Sequence, residues 1–200
     1  METKTKRFIV EFARKVIENF VKKKITLEIP KNYPEELDAK RGVFVTLFKK
    51  EKGKENLRGC IGLPFPKGIV INNLREAAVG ACQDPRFPPL EETELKNLVI
   101  EISILSEPKR IKAKKEKLLD KIEPHKDGLI IKRGANCGLF LPQVWEQLPD
   151  KREFLTNLCF KAGLMPRDWM LEGTTLDKFQ VEMIREDELL SREDDEHSNK

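Results

Sequence analysis

Histidine is nearly absent from this chain, with two in 200 residues. The four cysteines, Cys60, Cys82, Cys137 and Cys159, stand singly, and no Cys-x-x-Cys occurs. Zinc-ligand spacing is therefore missing. So are the dinucleotide-binding glycine pattern, the Walker loop and the serine-hydrolase elbow, and no motif names a cofactor. No run approaches the roughly 18 apolar residues of a membrane-spanning helix, and no apolar N-terminal stretch resembles a signal peptide. The expected class is a soluble, cytoplasmic protein with reduced thiols.

Charge of one sign is also in short supply. Net charge is +4, too small to demand a polyanionic partner. Its distribution is uneven. Residues 109–117 carry six positive charges and one negative, and the last 16 residues carry three positive and seven negative. The basic run reads as a solvated helix face, because no aromatic residues interleave to stack bases; contact with phosphate is the competing reading. Charged residues reach 36%, against about 25% in ordinary domains. Lysine and glutamate supply the excess, a balance common in heat-adapted proteins.

What the sequence does have is concentrated in two segments. Leu57-Arg58-Gly59-Cys60-Ile61-Gly62 reads as a strand. Side chains alternate with period two, which puts Arg58, Cys60 and Gly62 on one face. A guanidinium near the thiol would favour the thiolate. Gly59 and Gly62 mark a bulge or a close approach by another backbone or a ligand. The plainer reading is a structural Cys60, since free cysteine behaves as a small buried hydrophobe. The Gly-x-x-Gly spacing also matches an RNA-clamping loop, but apolar residues flank it here. In the second segment, Asp84-Pro85-Arg86-Phe87-Pro88-Pro89, the residue before proline leaves the helical region. Asp84 becomes a turn residue, and Asp84 and Arg86 pair with each other or hold the Cys60 loop.

Hydrophobic periodicity sets the framework. Residues 7–24 and 68–82 read as helices. Gly42 to Phe48 and Leu98 to Leu105 read as strands, the first pairing with the Leu57 strand as a hairpin. Phe179 to Ile184 alternates and returns to the same sheet. Between them, residues 128–132 and 137–141 read as two short strands, Pro142 opens a helix, and Asp150 caps another ending near Gly163. Cys159, Trp145 and Trp169 are assigned to packing. The fold class is α+β, a mixed α/β chain in two lobes, each with an antiparallel sheet flanked by helices. Residues 1–107 with 175–187 form the larger lobe, 108–174 the smaller inserted lobe, and 188–200 a disordered acidic tail. A cleft between lobes is where ligands often bind.

Several ordered stretches resemble the AMMECR domain family, named for a human chromosomal region. They are Gly42-Val43-Phe44-Val45-Thr46-Leu47, the hexapeptide, the Asp84 to Pro89 segment, Glu101-Ile102-Ser103-Ile104-Leu105, Leu141-Pro142-Gln143-Val144 and Lys161-Ala162-Gly163-Leu164. One departure stands out: His125 occupies the first position of a Gly-x-His-Gly or Gly-x-Asp-Gly pattern, so a surface-turn role is expected for it. The resemblance implies a two-lobed protein with antiparallel sheets. It also implies a modification pathway, through association with a dioxygenase-like protein and a radical-SAM protein. Two functions compete, beside a third reading in which the signature is a folding constraint and the working surface lies elsewhere. In one, Cys60 is a catalytic group in an interlobe cleft lined by the hexapeptide, Arg58 and Arg86 stabilise its thiolate or bind an anionic small molecule, and Asp84 orients an arginine. In the other, the same residues, with Gly59 and Gly62, shape a noncatalytic module that docks a protein or RNA.

Overall fold

The computed structural model describes residues 1–65, 68–114 and 117–189. The chain divides into two compact units, residues 1–105 with 182 onward, and residues 106–181.

The first unit is a four-stranded sheet in the order β2-β1-β3-β8, with two helices on one face. The strands are β1 (Val43–Glu51), β2 (Lys54–Leu63), β3 (Leu98–Leu105) and β8 (Val181–Arg185). The helices are α1 (Thr3–Lys23) and α2 (Val70–Ala81). Ile9, Ala13, Val16 and Ile17 of α1 are fully buried, at the spacing of one helical stripe. They meet Leu74, Ala77 and Ala78 of α2 and the alternating Val43, Val45, Leu47 and Ile100, Ile102, Ile104. Each large side chain removed from water contributes about 1.5–3 kcal/mol. The small residues of α2 let helix and sheet approach closely, and a Cβ on Gly80 would lie 2.8 Å from Ile61 Cγ2. The β1–β2 hairpin turns on Lys52 and Gly53, both at positive φ (50° and 76°). A two-residue turn of that kind matches the twist of its strands.

The second unit has a sheet in the order β4-β7-β5-β6 and one helix. Its strands are β4 (Lys109–Arg110), β5 (Gly128–Arg133), β6 (Asn136–Phe140) and β7 (Thr175–Phe179), and its helix is α3 (Lys151–Lys161). Asp150 caps α3 by accepting from the Arg152 and Glu153 amides at 2.9 Å. Trp145 stacks on Phe154 at 3.7 Å, and its Nε1 donates to the Asp127 carbonyl at 2.7 Å. Phe154, Leu155, Leu158 and Cys159 are fully buried beneath.

Four local expectations change. The C-terminal strand is two strands. Thr175–Phe179 pairs with β5 in the second sheet, and after a break at Gln180 the chain enters β8 of the first. The residues from 175 to 179 therefore leave the first lobe, because Leu176 and Phe179 are buried among the side chains of the second unit. The described start of the basic run, residues 109–114, is not a helix. Lys109 and Arg110 pair with Lys178 and Asp177, and Ile111 donates its amide to Leu176 at 2.9 Å. Lys115 and Glu116 lie outside the described residues. Pro142–Glu146 is a 3-10 turn, with Trp145 buried at its end. The acidic tail is ordered at its start. Residues 186–189 form a helical turn. Glu186 is buried in a bidentate pair with Arg14 and accepts the Ile100 amide at 3.2 Å. Leu189 packs on the first core. Arg14 neutralises a charge that the sequence alone leaves exposed. The rest of the tail, 190–200, lies outside the described residues.

Candidate functional site

All the candidate residues, Arg58, Gly59, Cys60, Gly62, Asp84 and Arg86, belong to the first unit. Their arrangement starts with the register of β2 against β1. Cys60 pairs with Thr46 and Gly59 with Leu47, but Phe48 pairs with Leu57. Arg58 is thus the extra residue of a β-bulge, and a bulge re-aims a side chain. Leu57 takes the face of Phe48 and Thr46, which is also the face of Cys60. Arg58 turns to the helix-covered face, beside Lys49. There it donates from Nε and Nη2 to Glu94 at 2.9 and 2.8 Å, and from Nη2 to the Pro89 carbonyl at 3.3 Å. Lys49 reaches the same carboxylate at 3.3 Å. The expected shared face of Arg58 and Cys60 does not form, because strict alternation fails at the bulge.

Glu94 is the partner that sequence reasoning missed. It lies in a 3-10 turn (Glu92–Asn97) and accepts the Glu91 amide at 3.0 Å in a capping box. The Arg58 guanidinium lowers its pKa to about 2. Glutamate is not among the usual N-cap residues, so neither this cap nor the arginine bound to it could be read in the sequence.

Asp84 organises the thiol strand. It follows the C-terminus of α2, and its side chain is 1% exposed. Its Oδ2 accepts the Cys60 amide at 2.8 Å, and its Oδ1 accepts the Arg86 amide at 3.0 Å. The Arg86 guanidinium binds it from Nε at 3.0 Å and Nη2 at 2.6 Å, and Nη2 also donates to the Cys60 carbonyl at 3.2 Å. Asp84 and Arg86 do pair, and together they hold both backbone polar groups of Cys60. The Arg86 hydrogen bonds keep the Asp84 carboxyl far below the usual carboxylate range. Phe87 completes the turn, with the Arg86 and Arg58 guanidinium carbons 5.7 and 5.9 Å from its ring centroid.

The glycines make room for protein. A Cβ on Gly59 would lie 2.3 Å from the Ala81 carbonyl oxygen, so β2 lies directly on the end of α2. A Cβ on Gly62 would meet the Phe44 ring at 2.1 Å.

The sheet face turned away from the helices carries the thiol. Cys60 is half-buried, and Thr46 Oγ1 donates to its Sγ at 3.1 Å. Thr46 in turn pairs with Glu101 of β3, whose carboxylate lies 3.4 Å from Arg185 of β8. Thiol, hydroxyl, carboxyl and guanidinium therefore follow one another across the four strands. Glu101 was legible as a polar residue alternating with isoleucines, but its alignment with Cys60 depends on two strand registers.

The other thiols differ. Cys82 is buried, donates to the Ala78 carbonyl at 3.2 Å, and is pushed up to about 12 by burial. Cys159 is buried and Cys137 is exposed. His125 sits in an exposed turn at φ 64°. Among the described residues no cluster of three or more His, Cys, Asp or Glu side chains is placed to hold a metal, and no helix is long and apolar enough to cross a membrane.

This architecture has relatives. The structure superposes on the crystal structure of an uncharacterized protein from Pyrococcus horikoshii with a TM-score of 0.80, at 40% identity and over 92% of each chain. Similar chains occur in Methanocaldococcus jannaschii, 44% identical over 90% of this chain and 89% of its own, and in Thermococcus onnurineus, 43% identical over the same shares. The names of these relatives state no reaction, substrate or partner. The AMMECR1 family model matches residues 10–184, and with relatives similar over nine-tenths of its length this chain belongs to the AMMECR1 family.

Proposed function

We propose that this protein is an enzyme component of a modification pathway, and that Cys60 is its working group. The observation that carries the reading is the way Cys60 is presented. Its main chain is gripped on both sides by Asp84 and Arg86, while its half-buried sulfur accepts a hydroxyl hydrogen bond. A cysteine kept only for packing has no need of a hydroxyl donor aimed at its sulfur. Arg86 supplies cationic surface beside the thiol, since its side chain remains 57% exposed although it pairs with Asp84. That surface suits an anionic or carbonyl-bearing small molecule.

The test is alkylation of the four cysteines in the folded protein as a function of pH, read by peptide mass spectrometry. Labelling of Cys60 at neutral pH with Cys82 and Cys159 silent supports the reading. Labelling of Cys60 only on unfolding overturns it.

A second reading rests on the same hydrogen bonds. Arg58 is consumed by Glu94 and Asp84 is consumed by Cys60 and Arg86, so the two motifs form one internal brace. In this reading the brace is structural and the protein is a noncatalytic adaptor that docks protein or RNA. Loss of stability without loss of partner binding on cutting the brace would support it.

A further inference from the structure

We propose that Glu101 exchanges a proton with Cys60 through the hydroxyl of Thr46, which makes Glu101 and Thr46 positioning residues for the thiol. The proposal rests on Cys60 being the working group.

The placement is the first argument. Cys60, Thr46 and Glu101 are consecutive partners in the registers of β2, β1 and β3, so all three side chains leave the same face of the sheet in one row. Directly opposed residues have Cβ atoms about 4.5–5.5 Å apart. The Thr46 hydroxyl already touches the sulfur at 3.1 Å. Glu101 leans toward Arg185 at 3.4 Å. The exchange requires that its carboxyl turn from Arg185 to the Thr46 hydroxyl of the neighbouring strand, directly or through one bridging water.

The second argument is a contrast within the unit. Glu94 and Glu186 each hold an arginine through two nitrogens, and Asp84 does the same. Glu101 has a single long contact to an arginine that is otherwise occupied by Glu55 at 3.0 Å and Asp187 at 3.2 Å. Its side chain is 12% exposed, and burial raises its pKa. A partly buried carboxyl this poorly paired takes up a proton more readily than the tightly paired Glu94 and Asp84 do. The charged groups facing it are Arg185 from β8, Glu55 from β2 and Glu188 from the turn after β8. Those bound to the Cys60 main chain are Asp84 and Arg86.

The exchange balances without a further reactant. The Sγ–H bond breaks and its proton passes to Thr46 Oγ1, while the Thr46 proton passes to a Glu101 carboxylate oxygen. The sulfur keeps its electron pair as a thiolate, nothing is oxidised or reduced, and Thr46 ends by donating to the sulfur. The first transfer runs along the Thr46–Cys60 contact of 3.1 Å.

The experiment is the pH profile of Cys60 alkylation by iodoacetamide in the full chain, compared with Glu101→Gln, Thr46→Val and Ser103→Ala. Ser103 lies on the same face, one pair along β3, outside the row. The expected result is about a tenfold loss of rate at neutral pH for the first two variants, the effect of one hydrogen bond. The double variant should be no slower than the worse single one, and Ser103→Ala should be unchanged. Loss of the lower inflection of the profile separates this role from simple support. Native packing of each variant is checked by the silence of Cys159. Where Glu101→Gln does not fold, the Glu101 titration followed by carbon-13 NMR should shift in Cys60→Ala. A reactive Cys60 with an unaltered profile in Glu101→Gln, or an unmoved Glu101 titration, overturns the proposal alone. An unreactive Cys60 in the unmodified chain overturns the reading beneath it as well.

Discussion

Asp84 Oδ2 accepts the backbone amide of Cys60 at 2.8 Å, which ties the end of one helix to the middle of a strand 24 residues earlier. The same carboxylate holds Arg86, whose guanidinium returns to the Cys60 carbonyl. One buried charge thereby fixes the position of a cysteine without touching its sulfur. Replacing it with alanine leaves the Cys60 amide and the Arg86 fork without their acceptor. Asp84→Ala should lose about 3 kcal/mol of stability, measured by urea denaturation. Under native conditions the variant should also change the alkylation rate of Cys60 while leaving Cys137 unaffected.

The two glycines of the hexapeptide should not be equivalent. At Gly59 the obstructing atom is the Ala81 backbone oxygen, 2.3 Å from an added Cβ, and backbone moves only with its helix. At Gly62 the obstruction is the half-buried ring of Phe44. Gly59→Ala should cost about 1–3 kcal/mol. Gly62→Ala should cost less, because a ring can turn aside. Equal urea midpoints for the two variants would contradict this.

Glu94 gives the fold a defined acid sensitivity. Its pKa falls from 4.5 to about 2 on folding, chiefly through Arg58. A carboxylate lowered in this way stabilises the fold fully above its ordinary value, and that contribution is lost as pH falls toward the folded value. The window therefore runs from about 4.5 down to about 2. Glu94→Gln should be less stable at pH 7 and should show a flatter loss of stability across that window, measured by urea midpoints at several pH values. Arg58→Ala should reproduce the flattening, since it removes the main cause of the shift.

His125 carries a conformational penalty. It holds φ 64° on the surface of the second unit, where an L side chain crowds its own carbonyl. His125→Gly should raise stability by up to ~1 kcal/mol, with the gain reduced by the greater freedom of glycine in the unfolded chain. Differential scanning calorimetry reads the direction.

Much of this could be read from residue order, and the rest had physical reasons for being hidden. Strand β3 and helix α3 declare themselves, since Leu98 to Leu105 is almost continuously apolar and Asp150 caps a helix with a clean buried stripe. The Cys60 and Asp84 segments also stood out in the sequence, and the structure brings them into contact. The orientation of Arg58 was not, because one unpaired residue reverses every alternation beyond it. Glu101 and Thr46 entered the site through strand pairing, which composition does not encode. The burial of Glu186 could not be read beside the acidic tail, because its partner, Arg14, is 172 residues away. At Gln180 a single break separates two strands that belong to different sheets, and unbroken hydrophobic alternation conceals it.

The last strand of the first sheet has a consequence for synthesis. Strand β8 lies beside β3, Glu182 pairs with the Met1 amino group at 3.3 Å and with Lys6 at 2.9 Å, and Glu186 closes on Arg14. On the ribosome, residues 1–105 are made early but must wait for these acidic partners, with one side of β3 open along its length. Residues 106–181, by contrast, are all present before β8 is complete. Translation therefore delivers residues 106–181 whole first, and the sheet that carries Cys60 gains its fourth strand only when residues 181–186 have been made.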